Sequence, residues 1–168
     1  ALFRAAFALT FYGAYRLSEV VAPARGNPGH ACLRVQDVSV GKDHIEVFLR
    51  RSKTDQEGKG LTSIIRSGPD RKRCGVHLLR QFLAARPDKL GTLFVHEDGS
   101  CLSKNQFRAV FRASLQQAGL PAGQFGSHSF RIGAATTASG LGLGEDTIKR
   151  IGRWRSKVYR GYVRPELC

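Results

Sequence analysis

The N-terminal stretch of the chain, residues 2–21, has apolar side chains on most faces of the helix that its pattern predicts. It contains no proline and one glycine, so the predicted helix continues until just before Pro23. Arg16 and Glu19 interrupt it, and its apolar run, Ala5–Tyr15, is shorter than the roughly 20 residues that span a bilayer. A helix that is apolar on most faces is stable only when other elements cover it. We therefore expect it to lie in the core of a folded domain.

The rest of the chain combines short strand patterns with helical ones. Strands are predicted at Leu33–Val40, His44–Arg50 and Leu61–Arg66, with a turn near Lys53. Helices are predicted at Cys74–Arg86, Lys104–Ala118 with Ser103 as N-cap, His128–Ser139 with Ser127 as N-cap, Asp146–Ile151, and from Lys157 onward. These patterns predict one α+β domain over residues 1–168, mainly helical, with a small three-stranded antiparallel sheet.

The charge balance of the chain is strongly basic. Its 27 Lys and Arg against 13 Asp and Glu give a net charge of +14. A folded domain this basic usually has a polyanionic partner, most often a nucleic acid, although a solvated or membrane-attracted basic surface is the alternative. The four cysteines form no C-x-x-C pair, so we predict no metal site and expect free thiols in a reducing compartment.

His128 and Arg131 lie three residues apart at the start of a predicted helix. At this spacing both side chains point to one side, and the backbone N–H groups of a helix start favour an anion. The pair therefore suits a phosphate, with a surface histidine and a solvated arginine as the equally weighted alternative.

The segment from Ile151 to Pro165 combines the single tryptophan, Trp154, with Tyr159, Tyr162 and several Arg and Lys residues. Aromatic side chains within a basic stretch bind nucleic acid through stacking and charge. The alternative is a tryptophan that simply packs in the core.

Together these motifs resemble the tyrosine recombinase family, which includes phage integrases. Arg16 in Tyr-Arg-Leu-Ser-Glu resembles the first catalytic arginine, and Lys53 in Arg-Ser-Lys-Thr-Asp resembles the catalytic lysine of the hairpin. The remaining matches, in the same order along the chain, are His128 with Arg131, Trp154 at a position that holds His or Trp, and Tyr162 as the nucleophile. The Ser-Lys-Thr-Asp-Gln run and the ending with Gly-Arg-Trp and Tyr-Val-Arg-Pro most resemble the DIRS-like and Crypton recombinases of eukaryotic mobile elements.

The resemblance implies a site-specific recombinase or integrase that cuts and rejoins DNA through a 3′-phosphotyrosyl intermediate, with neither metal nor ATP. Under this interpretation Arg16 and Arg131 clamp the phosphate, Lys53 is the general acid, and His128 assists proton transfer or holds the phosphate. Trp154 would donate its indole N–H to a phosphate oxygen. A type IB topoisomerase-like enzyme and a domesticated DNA-binding module without activity remain alternatives, and Tyr159 competes with Tyr162 as nucleophile.

Further expectations concern the partners of the chain. Double-stranded DNA is the expected partner, and we expect five cations to meet its backbone: Arg108, Arg112, Lys149, Arg150 and Arg153. Glu19 is expected to orient Arg16. The resemblance implies a separate N-terminal DNA-gripping domain and a homotetramer on DNA for the full-length protein, with this chain alone a monomer. It also implies a nuclear location in a eukaryote and a cytoplasmic one in a bacterium.

Overall fold

The computed structural model describes residues 1–50, 59–87 and 90–167. Six α-helices occur in this part: α1 Leu2–Tyr12, α2 Leu17–Val20, α3 Gly75–Ala85, α4 Lys104–Gln117, α5 Ser129–Gly140 and α6 Glu145–Gly152. Three strands, β1 Val38–Val40, β2 His44–Leu49 and β3 Leu61–Arg66, form one antiparallel sheet in that order. Short 3₁₀ helices occupy Val35–Asp37, Ala122–Gln124, Lys157–Tyr162 and Pro165–Leu167.

The N-terminal helix is shorter than predicted, because the chain turns sharply after Tyr12. Ala14 adopts a left-handed conformation with φ of 44°, and a new helix, α2, begins at Leu17. The turn buries Tyr15 completely, and its hydroxyl hydrogen-bonds with Ser63 of β3. The single helix predicted over residues 2–21 was therefore wrong, and the break places Arg16 at the N-cap of α2 instead of inside a helix.

The sheet follows the predicted alternation of inward and outward side chains. Ile45 pairs with Ile65 across β2 and β3, and both are buried. The predicted first strand is shorter than expected, since Val35–Asp37 forms a 3₁₀ turn and only Val38–Val40 joins the sheet. The predicted turn at Lys53 lies outside the described residues.

The helices pack around α1, as its apolar sequence requires. Phe7 of α1 contacts Phe107 of α4 and Phe130 of α5, with ring centroids 4.7 and 5.6 Å apart. No helix in the described ranges is both long and apolar enough to cross a membrane.

A second, smaller cluster joins α5 and α6 to the C-terminal segment through Ala135, Ile148, Trp154 and Tyr159. These two clusters, with the sheet, confirm the mainly helical α+β class.

The predicted helix caps give a mixed result. Ser103 caps α4, because its hydroxyl accepts a hydrogen bond from the Gln106 N–H at 3.3 Å. Ser127 is not a cap: His128 occupies the N-cap position of α5, and the Ser129 hydroxyl accepts from the Gly126 N–H at 3.0 Å. The helix thus begins at Ser129, one residue later than predicted, and His128 is its N-cap residue.

Candidate active site

An open cleft of about 320 Å³ lies where the starts of α2, α4 and α5 meet the end of the 3₁₀ helix Lys157–Tyr162. It is lined by Arg16, Leu17, Ser18, Lys104, Arg108, Ser127, His128, Arg131 and Tyr162. Four of the six predicted catalytic residues therefore share one cleft, although they come from three segments far apart in the sequence. Trp154 lies beside it, against Tyr162, and Lys53 lies outside the described residues.

Arg131, in the first turn of α5, is 1% exposed and firmly held. Its Nη1 donates to the carbonyl of Ala14, and its Nη2 donates to the carbonyl of Gly152 at 3.1 Å. The guanidinium carbon also lies 4.9 Å from the centroid of the Trp154 ring. These contacts fix the plane of the guanidinium in advance of any ligand.

The charge of Arg131 is only partly compensated. Burial, together with the neighbouring cation of Arg153, lowers its pKa to about 10, which leaves it charged at neutral pH. Within the described ranges no carboxylate lies within salt-bridge distance of Arg131. A buried cation that lacks a paired acid is costly, so an anion in the cleft would lower its free energy.

Arg16 enters the cleft from the N-cap of α2. Its Nη1 lies 3.2 Å from Oε1 of Glu19, and its backbone N–H donates to Oε2 of the same carboxylate at 2.8 Å. The side chain is 25% exposed, while that of Glu19 is 4% exposed. Glu19 therefore orients Arg16 from the buried side of the cleft, as its position in the sequence suggested. The Arg16 side chain itself lines the cleft.

Tyr162 lies over the aromatic floor of the cleft. The centroid of its ring lies 4.8 Å from that of Trp154 and 6.3 Å from that of His128. The Arg131 guanidinium carbon lies 5.4 Å from the same centroid. Thr136 of α5 holds the backbone here, because its hydroxyl donates to the Tyr162 carbonyl at 3.4 Å and accepts from the Arg164 N–H at 3.0 Å. The phenol is thus positioned beside two basic side chains.

Tyr159 faces a different region. It is 8% exposed, packs in the smaller cluster beside Ile148, and its ring centroid lies 5.8 Å from Nζ of Lys149. The cavity that it lines, about 360 Å³, shares no residue with the cleft of Tyr162. Geometry therefore favours Tyr162 over Tyr159 as a nucleophile.

The indole N–H of Trp154 is buried and has no hydrogen-bond partner in the described part of the chain. A buried donor left unsatisfied costs about 1–3 kcal/mol, so such groups are rare unless a ligand or water completes them. The predicted bond from this N–H to a phosphate oxygen remains a prediction.

The five cations expected at DNA lie in four different settings. Arg108 lines the cleft, and Arg112 and Arg150 are exposed on α4 and α6. Lys149 pairs with Glu145 at 2.7 Å. Arg153 is buried and donates to Glu19 at 2.9 Å, so the expectation that it meets DNA phosphates is corrected: its guanidinium faces the protein interior.

Lys104 was not anticipated as a cleft residue. It occupies the first position of α4, directly after the N-cap Ser103, and so lies where that helix start meets the cleft. The cap motif located the helix start, but only the tertiary pairing of Ser103 and Lys104 with Ala22, just after α2, brings Lys104 to the cleft that Arg16 lines. Within the described ranges no three His, Cys, Asp or Glu side chains are grouped to hold a metal ion.

Gly152 supports the floor of the cleft. A Cβ atom at this position would lie 1.8 Å from Cζ3 of Trp154, far closer than atoms approach in folded proteins. Because the Trp154 ring packs against Tyr162 and Arg131, Gly152→Ala must displace this ring from its contacts. We expect a loss of about 1–3 kcal/mol in the free energy of unfolding.

Thermal unfolding measures this loss, at roughly 2–4 °C per kcal/mol for a chain of this size. Gly123→Ala is the matched control, because a Cβ there meets nothing within 4 Å. Equal melting temperatures for Gly152→Ala and the wild type would contradict the expected clash.

The sequence profile of the phage integrase family matches residues 3–163. A relative described as an integrase/recombinase xerD homolog, from Selenomonas ruminantium, is 27% identical over 162 residues, which cover 92% of this chain and 45% of that protein. The chain therefore spans less than half the length of this relative.

Two solved structures share the fold. The XerH site-specific recombinase bound to its difH substrate, in a pre-cleavage complex, matches with a TM-score of 0.70 and 18% identity, over 98% of this chain and 43% of that one. The Tn1549 transposon integrase in complex with circular intermediate DNA matches with a TM-score of 0.63 and 15% identity, over 96% of this chain and 54% of that one. These likenesses confirm the predicted fold.

Proposed function

The chain belongs to the phage integrase family, the tyrosine recombinases, and from this we propose that it is the catalytic domain of a site-specific DNA recombinase. The enzyme cleaves and rejoins DNA strands during the integration or excision of a mobile element. One observation carries the proposal: Arg16, His128, Arg131 and Tyr162 line a single basic cleft of about 320 Å³.

The reaction is a transesterification at the scissile phosphate. The Tyr162 oxygen attacks phosphorus, a 3′-phosphotyrosyl bond forms, and the bond to the 5′-oxygen breaks. The phenol proton leaves and the departing 5′-oxygen gains one, so the step is balanced without metal or ATP. Rejoining reverses the step when a 5′-hydroxyl attacks the phosphotyrosine, because the ester bond has been conserved.

Arg16 and Arg131 bind the non-bridging oxygens of that phosphate. Guanidinium groups offer planar pairs of donors that match two phosphate oxygens, and they stabilise the charge that builds up as the nucleophile adds. Arg131 is held by two backbone carbonyls, and Arg16 by Glu19. Both are therefore oriented before DNA arrives, which limits the reorganisation that the reaction requires.

Three further side chains complete the proposed chemistry. His128 is exposed at the cleft and close to the Tyr162 ring, where it assists proton transfer or holds the phosphate. Trp154, whose indole N–H has no partner among the described residues, donates it to the bound phosphate, whose arrival would satisfy that donor. Lys53 is the general acid to the 5′-oxygen; this role is proposed from its motif alone.

Double-stranded DNA is the proposed partner. The net charge of +14, with Lys104 and Arg108 at the cleft, suits a DNA backbone passing over the starts of α4 and α5. Since the chain spans 45% of its relative, we propose that a second, DNA-gripping domain works with it and that the whole protein forms a homotetramer on DNA. The finer proposal, a DIRS-like or Crypton recombinase acting in a eukaryotic nucleus, rests on the Ser-Lys-Thr-Asp-Gln, Gly-Arg-Trp and Tyr-Val-Arg-Pro sequences.

Covalent trapping tests the proposal. The full-length protein is incubated, in the presence of EDTA, with nicked duplexes drawn from the DNA that flanks its own gene, so that the cut strand escapes and the reaction cannot reverse. We expect a protein–DNA adduct that survives denaturation and is removed by protease. DNA binding without an adduct on any duplex of the pool would favour the inactive DNA-binding module, and adducts formed equally on every sequence would favour a topoisomerase.

A further inference from the structure

We infer that Arg153 is a positioning residue that aims both phosphate-binding arginines, Arg16 and Arg131, and does not itself meet DNA. The inference rests on the proposed function and extends it to a residue inside the domain. Its basis is a set of hydrogen bonds in which Arg153 shares an acceptor with each of the two arginines.

Arg153 ends α6 in a left-handed conformation, with φ of 57°. This conformation is strained for a residue that carries a side chain, so the surrounding contacts must hold it in place. The conformation turns the guanidinium inward, where Nη1 donates to the Gly13 carbonyl at 2.8 Å and Nη2 donates to the Ala14 carbonyl at 3.2 Å. Arg153 thus ties the end of α6 to the turn between α1 and α2.

The first link runs to Arg16 through Glu19. Oε2 of Glu19 accepts from Arg153 Nη2 at 2.9 Å and from the Arg16 backbone N–H at 2.8 Å, while Oε1 accepts from Arg16 Nη1 at 3.2 Å. Glu19 is 3% exposed, so water does little to hold it. With Arg153 removed, Oε2 loses a charged donor, and the carboxylate keeps its bonds from Arg16 itself. Glu19 is then less firmly anchored and fixes the direction of Arg16 less well.

The second link runs to Arg131 through the backbone. The Ala14 carbonyl accepts from both Arg153 and Arg131, and the other acceptor of Arg131 is the carbonyl of Gly152, the residue directly before Arg153. A shift of the Arg153 backbone or of the Ala14 turn therefore moves both anchors of Arg131.

Charge gives Arg153 a second role. Glu19 is the carboxylate paired with both Arg16 and Arg153. Because Arg153 takes up part of the negative charge of Glu19, Arg16 keeps more of its attraction for a phosphate. An apolar residue at position 153 would leave Glu19 to neutralise Arg16 alone, and the cleft would be less positive.

A lysine at position 153 provides the sharpest comparison. Lysine keeps the charge but carries a single nitrogen, which cannot span the Gly13 carbonyl, the Ala14 carbonyl and the Glu19 carboxylate as the forked guanidinium does. If geometry matters as well as charge, Arg153→Lys restores only part of what Arg153→Met loses.

The experiment measures single-turnover cleavage by the full-length protein at saturating DNA, well below every melting temperature. We expect Arg153→Met to slow cleavage roughly 100-fold, as misplacement of a catalytic group by about 1 Å can do, and Arg153→Lys to slow it roughly 10-fold. We expect the affinity for DNA to fall much less than the rate, because Arg153 is buried and only the share of the affinity that Arg16 contributes is reduced.

A sulfur atom in place of one non-bridging oxygen separates positioning from general damage. Sulfur accepts hydrogen bonds poorly, so the substitution weakens the hydrogen bonds that the arginines donate to that position. An enzyme with well-aimed arginines loses more of its cleavage rate than one whose misaligned arginines make those bonds poorly already. The oxygen-to-sulfur rate ratio should therefore fall in Arg153→Met, whereas general damage slows both substrates equally. Equal slowing, or a large loss of DNA affinity without loss of rate, would overturn the inference.

Arg86→Met is the matched control. Arg86 also donates to backbone carbonyls, those of Leu93 and Thr92, but it lines a different cavity. The Arg86→Met substitution should lower the melting temperature and leave the cleavage rate and the oxygen-to-sulfur rate ratio unchanged.

Absence of cleavage by the wild type would overturn the proposed function and this inference with it. If the wild type cleaves and both position-153 variants cleave at the same rate as the wild type, the inference alone is overturned.

Discussion

Tyr162→Phe is expected to abolish the covalent protein–DNA adduct completely, while Tyr159→Phe is expected to keep it. The phenol oxygen of Tyr162 is the atom that attacks phosphorus in the proposed reaction, and phenylalanine has no atom to replace it. Folding should be preserved, because the phenylalanine ring can still pack against Trp154 and the backbone at position 162 is still held by Thr136. Tyr159, in contrast, is buried in the smaller cluster and lies outside the cleft.

The sequence allows the attachment site to be read directly. Trypsin cuts after Lys157 and Arg160 but not between Arg164 and Pro165, so Tyr159 and Tyr162 fall in different peptides. We expect the nucleotide on the peptide that begins at Gly161. Attachment to the peptide Val158–Arg160, or an undiminished adduct in Tyr162→Phe, would assign the chemistry to another residue.

Arg131→Lys is expected to lower the rate of strand cleavage by a factor of about 10²–10³, comparable to removing a donor that stabilises transition-state charge. The loss is geometric, because lysine retains the positive charge. Arg131 uses one nitrogen for the Ala14 carbonyl and another for the Gly152 carbonyl, so its plane is defined before it meets a phosphate. A lysine ammonium can neither bridge these anchors nor present paired donors.

The measurement is single-turnover cleavage, with DNA affinity determined separately. Arg80→Lys is the control, because it is the same substitution at an arginine that also donates to two backbone carbonyls but lies on α3, outside the cleft. We expect the control to cleave at the wild-type rate. A loss of DNA affinity in Arg131→Lys that accounted for the whole defect would show that Arg131 only binds DNA and does not act on the transition state.

Much of the fold was predictable because its signals are local. The alternation of Ile45, Val47 and Leu49 predicted β2, and Ser103 marked the start of α4 one residue before it begins. The break after Tyr12 was not predictable from periodicity, since residues 2–21 continue an apolar pattern on both sides of it. The turn there is held by distant partners, including Ser63 and Arg153, which no local pattern contains.

The site divides in the same way. Arg16, His128, Arg131 and Tyr162 were identified from short motifs, and the structure brings all four to one cleft. Lys104 was missed, and Arg153 was assigned to DNA although it is buried. In a run of basic residues such as Gly-Arg-Trp-Arg-Ser-Lys, sequence alone does not distinguish the arginine that turns inward from those that stay in solvent.

The sequence by itself determined which residue types are available for phosphate chemistry, and where most helices and strands lie, because capping, periodicity and charge act over a few residues. Only the tertiary structure decided which of these side chains meet. The left-handed turn at Arg153 and the buried carboxylate of Glu19, brought together from positions 134 residues apart, set the direction in which a basic side chain points. That direction depends on burial and on distant acceptors, and those exist only once the chain has folded.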